Sequence, residues 1–235
     1  MERRKLLITG AAALSIGSRR ILGANDRVRV GLIGLGGRGN AHLGSYLQIP
    51  GAQMAAICDV NQAARERANA RIVKAGQDKA AEYPDMRKLF DSKDIDAVSM
   101  ATPNHWHALG AIWAMQAGKD TYCEKPASHN PFESKQMIAA ARKYKRMCQI
   151  GSQSRSTPHV IEAMQALKDG IIGNVYMAKG LCYKRRKSIG RKPDGPVPPG
   201  LDWDMFLGPA PMRPYNELRF AYNWHWFWDT GNGDL

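Results

Sequence analysis

The run VRVGLIGLGGRGNAHL, residues 28–43, constrains this chain more than any other stretch. An apolar, β-branched segment ends in glycines and passes at once into helical patterning. Gly34-Leu35-Gly36-Gly37-Arg38-Gly39 is a GxGxxG in the setting that gives the motif meaning, after a strand and at the start of a helix. Each glycine has its own physical reason: Gly34 permits a tight turn, Gly36 lets backbone approach a pyrophosphate, and Gly39 lets helix pack on strand. The helix N-terminus offers unpaired N–H groups and the positive end of a dipole to phosphates. Arg38 adds charge to that cradle or is simply exposed.

The remaining pattern fits one architecture. Strand-like segments are expected at residues 27–33, 52–58, 81–83, 96–102, 120–123 and 147–151, with helical segments between them. Asn61 and Asn130-Pro131 read as helix starts, the latter with Glu133 completing a capping box. Strands alternating with helices give a parallel sheet covered on both faces. The expected fold class is α/β: a doubly wound, Rossmann-type dinucleotide-binding domain over residues 25–151. The start of an α+β domain over 152–235 follows, with a helix from Thr157-Pro158 to Gly170 and a long strand over residues 174–183. Asp59 ends the second strand, where a carboxylate accepts hydrogen bonds from adenosine ribose hydroxyls and repels a 2′-phosphate; NAD is favoured over NADP.

Composition excludes little beyond disorder: of 235 residues, 44% are hydrophobic, enough for a substantial core. The net charge is +13, from 34 Lys and Arg against 21 Asp and Glu. Without a nucleic-acid motif, solvated helix faces or an anionic ligand explain that balance better than nucleic acid. Cys58, Cys123, Cys148 and Cys182 form no CxxC pair and read as free thiols, mostly in buried strands. His105 and His107, two apart, make a poor metal pair; no metal site is expected.

Residues 1–24 read as an address. Arg3-Arg4-Lys5-Leu6-Leu7 precedes a short apolar run too brief to span a bilayer, similar to a twin-arginine export signal. The expected location is periplasmic or exported, with an uncleaved arm on a cytoplasmic protein as the alternative. No stable membrane anchor is expected.

TYCEKPAS, residues 121–128, places Glu124, Lys125 and Pro126 at the end of the fifth strand, and ATPNHWH, residues 101–107, closes the fourth. Open α/β sheets bind ligands at these carboxyl ends. With the glycine motif, GIIGNV (170–175), WDMFLGPAP (203–211) and WHWFWDTGNGDL (224–235), the chain from residue 27 onward resembles the Gfo/Idh/MocA oxidoreductases. The resemblance implies a nicotinamide cofactor, a sugar or polyol substrate, and a homo-oligomer when the chain is full length. It places Lys125 on the substrate hydroxyl and sets Asn104 and His107, with Thr102, Pro103 and Glu124, beside the cofactor. An amine so placed can hold the oxygen, stabilise its developing charge and relay its proton. Glu124 either keeps that amine protonated or orients it. The family's Asp-x-Gly-x-His segment would fall just past Leu235, so the chain reads as truncated; His225 and Asp229 lie near that place but do not match it.

Gln153, Arg155 and Tyr183 are further candidates for substrate contact, and each also fits an exposed surface position. Trp203, Trp224, Trp226 and Trp228 stack on a sugar or pack in a core or interface. Three functions compete: an NAD-dependent sugar or polyol dehydrogenase, an NAD-dependent glycosidase using transient oxidation, and a cofactor-binding protein without turnover.

Overall fold

Six parallel strands in the order β3-β2-β1-β4-β5-β6 form the central sheet. They are β1 (Val28–Ile33), β2 (Ala52–Cys58), β3 (Ala81–Tyr83), β4 (Ala97–Met100), β5 (Asp120–Cys123) and β6 (Cys148–Ile150). The order reverses between β1 and β4, where a doubly wound sheet opens its ligand crevice. The computed structural model describes residues 27–183 and 185–233. The export-like segment 1–24 lies outside the described residues. Among the described residues no helix is long and apolar enough to cross a membrane.

Both faces of the sheet are covered, as the strands' near-continuous apolar character requires. Adjacent residues Leu32 and Ile33, both fully buried, point to opposite sides. Leu32 joins Leu43 of α1 (Gly37–Tyr46) and Ile72 of α2 (Gln62–Lys74). Ile33 joins Leu89 of α3 (Met86–Asp91), Met115 of α4 (His107–Gln116) and Met137 of α5 (Pro131–Tyr144). Each such side chain stabilises the fold by about 1.5–3 kcal/mol. The Asn61 and Asn130 side chains accept from Ala63 N and Glu133 N and start α2 and α5. Glu133 reaches back one residue further than a standard capping box, taking the N–H of His129.

The segment after residue 151 begins with α6 (Pro158–Lys168). The strand expected over 174–183 is absent: these residues form no ladder and stand exposed. A strand is held by its neighbour's backbone, and none of the described residues pairs with this one. The chain then returns to the nucleotide domain. Gln62 N donates to Gly200 O, Asp202 N donates to Val60 O, and Asn61 bridges Leu201. The helix α7 (Trp203–Leu207) packs there, with Trp203 stacked on Phe206 at 4.9 Å and buried against Tyr215 and Phe220.

Candidate active site

The GxGxxG turn forms as its spacing requires. Gly34 has φ +82°, in the left-handed region, and a Cβ there would meet Ala101 O at 2.7 Å. A Cβ on Gly39 would lie 1.7 Å from Gly34 O. Around Gly36 and Gly37 a Cβ would meet nothing within 4 Å. The first two glycine constraints are therefore internal, whereas Gly36 and Gly37 border open space. Helix α1 starts at Gly37, and Gly36 gives its end no side-chain cap, so first-turn N–H groups face that space.

Asp59 closes the turn from the end of β2. Its Oδ2 accepts the Leu35 N–H at 2.7 Å and its Oδ1 the Asn61 N–H at 2.8 Å. Burial pushes its carboxyl above the usual range, more than these bonds and the charges of Arg65 and Arg67 pull it down.

Glu124 is the densest polar node. It is 3% exposed and takes four donors. Arg38 Nε at 2.6 Å and His42 Nε2 at 2.9 Å reach Oε1; Gln153 Nε2 at 2.7 Å and the Lys125 backbone N–H at 3.0 Å reach Oε2. Burial raises this carboxyl, but the hydrogen bonds and the Arg38 charge outweigh it and hold it at about 2. Lys125 itself is exposed, and its bond to Pro126 is cis.

Two adjoining cavities run along the carboxyl ends of the strands. One, of about 230 Å³, is mainly apolar and lies beside Gly34, Asp59, Pro84, Trp106 and Phe206. The other, of about 810 Å³, gathers Gly37, Arg38, Asn104, Glu124, Lys125 and His225. Gly36, Thr102 and Trp224 line both, which makes them one elongated cleft. Two buried polar atoms of its lining, Thr102 Oγ1 and His225 Nε2, have no hydrogen-bond partner among the described residues. A glycine cradle with open space, a carboxylate at the far end, an apolar slot and unpaired polar atoms suit a dinucleotide.

A family model described as an oxidoreductase family with an NAD-binding Rossmann fold matches residues 28–152, and one for its C-terminal α/β domain matches residues 173–235. The chain belongs to the Gfo/Idh/MocA oxidoreductase family. A glycosyl hydrolase family 109 protein of Shewanella baltica is 33% identical over 154 residues, 64% of this chain and 34% of its own length. A myo-inositol 2-dehydrogenase structure from Lactobacillus plantarum shares 26% identity at a TM-score of 0.58, covering 63% of this chain and 43% of its own. The WlbA dehydrogenase of Bordetella pertussis, solved with NADH and UDP-GlcNAcA, shares 26% identity at 0.57, covering 64% and 44%. The chain thus spans about a third of the length of the Shewanella relative.

The expected site residues of this family member divide by whether they line the cleft: His107 and Gln153 do, Arg155 and Tyr183 do not. His107 is 1% exposed, and its ring lies between two carbonyls, Pro126 O at 2.7 Å and Thr102 O at 2.9 Å. Burial lowers its pKa more than these contacts raise it. It borders the cleft chiefly by bracing the two loops that carry Thr102 and Lys125. His105 likewise sits between Phe206 O and Thr230 O, both at 3.1 Å, outside any metal geometry. Gln153 lines the cleft and donates to Glu124 Oε2. Arg155 and Tyr183 do not line it; both are exposed, Tyr183 at 81% on the segment that lacks a ladder partner.

His225 is the residue the sequence motifs passed over. Its Nδ1 faces the Tyr222 carbonyl and must carry the proton there, while Nε2 is buried in the lining with no partner among the described residues. The signal was a histidine inside a tryptophan run, which sequence alone cannot separate from core packing. Asp229, its neighbour in the chain, pairs with Arg213 and Arg219 instead.

Proposed function

We propose that the protein is an NAD-dependent dehydrogenase acting on a hydroxyl-bearing carbon of a sugar or polyol. The observation that carries this reading is the single cavity that brings Gly36, Gly37 and Asn104 beside Lys125 and His225. Glycines 34–39 and the start of α1 hold the pyrophosphate, and Asp59 takes the adenosine ribose. The Asp59 carboxylate disfavours a 2′-phosphate, which selects NAD over NADP. A nicotinamide bound beyond them supplies the hydride acceptor.

Lys125 holds the substrate oxygen and receives or relays its proton as the carbinol C–H bond breaks. Glu124 does not pair with the lysine amine; it fixes the Lys125 backbone N–H and, through Arg38, the cradle. The unpaired Nε2 of His225 accepts a second substrate hydroxyl and orients the carbinol. Trp224, which lines both halves of the cleft, excludes water.

The kinship to family 109 glycosyl hydrolases supports a second reading, in which the same oxidation is transient and eases loss of an aglycone. A panel of sugars and polyols with NAD tests the pair. A dehydrogenase accumulates NADH, a redox glycosidase releases a chromogenic aglycone with no net NADH, and neither signal from an NAD-binding protein would remove both readings.

A further inference from the structure

We propose that His42 is a positioning residue that joins the phosphate cradle to the turn carrying Lys125. The proposal rests on the dinucleotide reading of the cleft. Arg38 and His42 stand four apart on α1, so both side chains leave the same face of the helix. They converge on one oxygen of Glu124, at 2.6 and 2.9 Å. The other oxygen of Glu124 holds the Lys125 N–H and Gln153. A displacement of α1 is therefore carried through one buried carboxylate to the Lys125 turn.

The imidazole is fixed from three elements. It is 7% exposed, its Nδ1 is 2.9 Å from Ser99 Oγ on β4, and its ring meets Tyr122 of β5 edge-on at 5.5 Å. Because Glu124 is ionised, His42 Nε2 carries the proton and donates it. The Ser99–His42–Glu124 chain has the composition of a nucleophilic triad, but Ser99 is wholly buried and cannot meet a substrate. What remains is orientation. Arg38 spends its Nε on Glu124 and makes no hydrogen bond with Nη among the described residues, which leaves those donors to a ligand phosphate. Without His42, Glu124 keeps its charge on fewer donors and Arg38 loses a fixed anchor.

The test is a double-mutant cycle on NADH binding, read by tryptophan fluorescence, with His42→Phe, His42→Gln, Arg38→Ala and the Phe/Ala double variant. Phenylalanine fills the space without a donor; glutamine restores one. His42→Phe should weaken NADH at least fivefold, the double variant should be no weaker than Arg38→Ala, and His42→Gln should return to within about threefold of wild type. Multiplying effects in the double variant, or glutamine as weak as phenylalanine, overturns the coupling. A second arm needs no cofactor: titration of the Glu124 carboxyl by carbon NMR. His42→Phe should raise its pKa and His42→Gln should not; an unmoved titration in His42→Phe also overturns the proposal. Failure of wild type to bind NADH would strike the dinucleotide reading itself, and the His42–Glu124 link would still stand or fall on the carboxyl titration.

Discussion

Leu35 donates its backbone N–H to Asp59 Oδ2 across 2.7 Å, joining the tip of the glycine turn to the end of β2. The carboxylate proposed to face the ribose thus also shapes the glycine turn proposed to hold the phosphates. Asp59→Ala removes both functions: it leaves the Leu35 and Asn61 N–H groups unpaired, at about 1–3 kcal/mol of stability. NADH affinity should fall at least tenfold, and the preference for NADH over NADPH should narrow. Urea unfolding and cofactor titration of the same variant check the two parts.

The glycines of the turn separate by what surrounds them. Gly39→Ala drives a methyl into Gly34 O, so a large loss of stability, several kcal/mol, is expected. Gly36→Ala meets no protein atom; its melting temperature should match wild type while NADH affinity drops at least tenfold. Equal losses of stability in the two variants would show that Gly36 serves the fold alone.

Acid should destabilise the protein in two stages. Burial lowers the pKa of His105 and His107 below 6.5. Both rings resist protonation in the folded state, so stability present above pH 6.5 is lost as pH falls below it. Glu124 titrates at about 2 in the fold against an ordinary 4.5; its contribution is complete above 4.5 and is lost as pH falls toward 2. The difference in melting temperature between wild type and Glu124→Gln should be largest above pH 4.5 and shrink toward pH 2.

His225→Gln removes the unpaired imidazole nitrogen from the cleft while leaving the cradle untouched. NADH binding should stay within about threefold of wild type, and turnover on a sugar or polyol should fall about 10- to 100-fold, the scale of losing one hydrogen-bond partner worth about 1–3 kcal/mol. Steady-state kinetics beside a binding titration separates the two.

The sheet was legible because its signals are local. Each strand has its own β-branched or apolar run, and helix starts such as Asn61 and Asn130 carry their partners within three residues. The glycine cradle and Asp59 follow from spacing along a single βαβ unit. Glu124 was not legible in the same way. Its side-chain partners Arg38 and His42 lie 86 and 82 residues away, and adjacency to Lys125 left open whether Glu124 keeps the amine protonated or orients it, where the structure has a backbone hydrogen bond. The bracing role of His107 was hidden for a related reason: the Thr102 and Pro126 carbonyls that hold its ring converge only when β4 and β5 pair. Residues 174–183 are mostly apolar and aromatic, as a strand can be, yet such a run does not supply a pairing partner. His225 gained meaning only when its Nε2 proved to be buried without one.

The proposed role of Lys125, acting on substrate in a cleft whose other end binds the nicotinamide cofactor, is read out by one variant. Lys125→Ala is titrated with NADH and assayed for NAD reduction on the sugar or polyol that wild type accepts. NADH affinity should stay within about threefold of wild type while turnover falls at least 100-fold, the scale of losing a general acid–base group. A variant that retains full turnover would remove Lys125 from the chemistry.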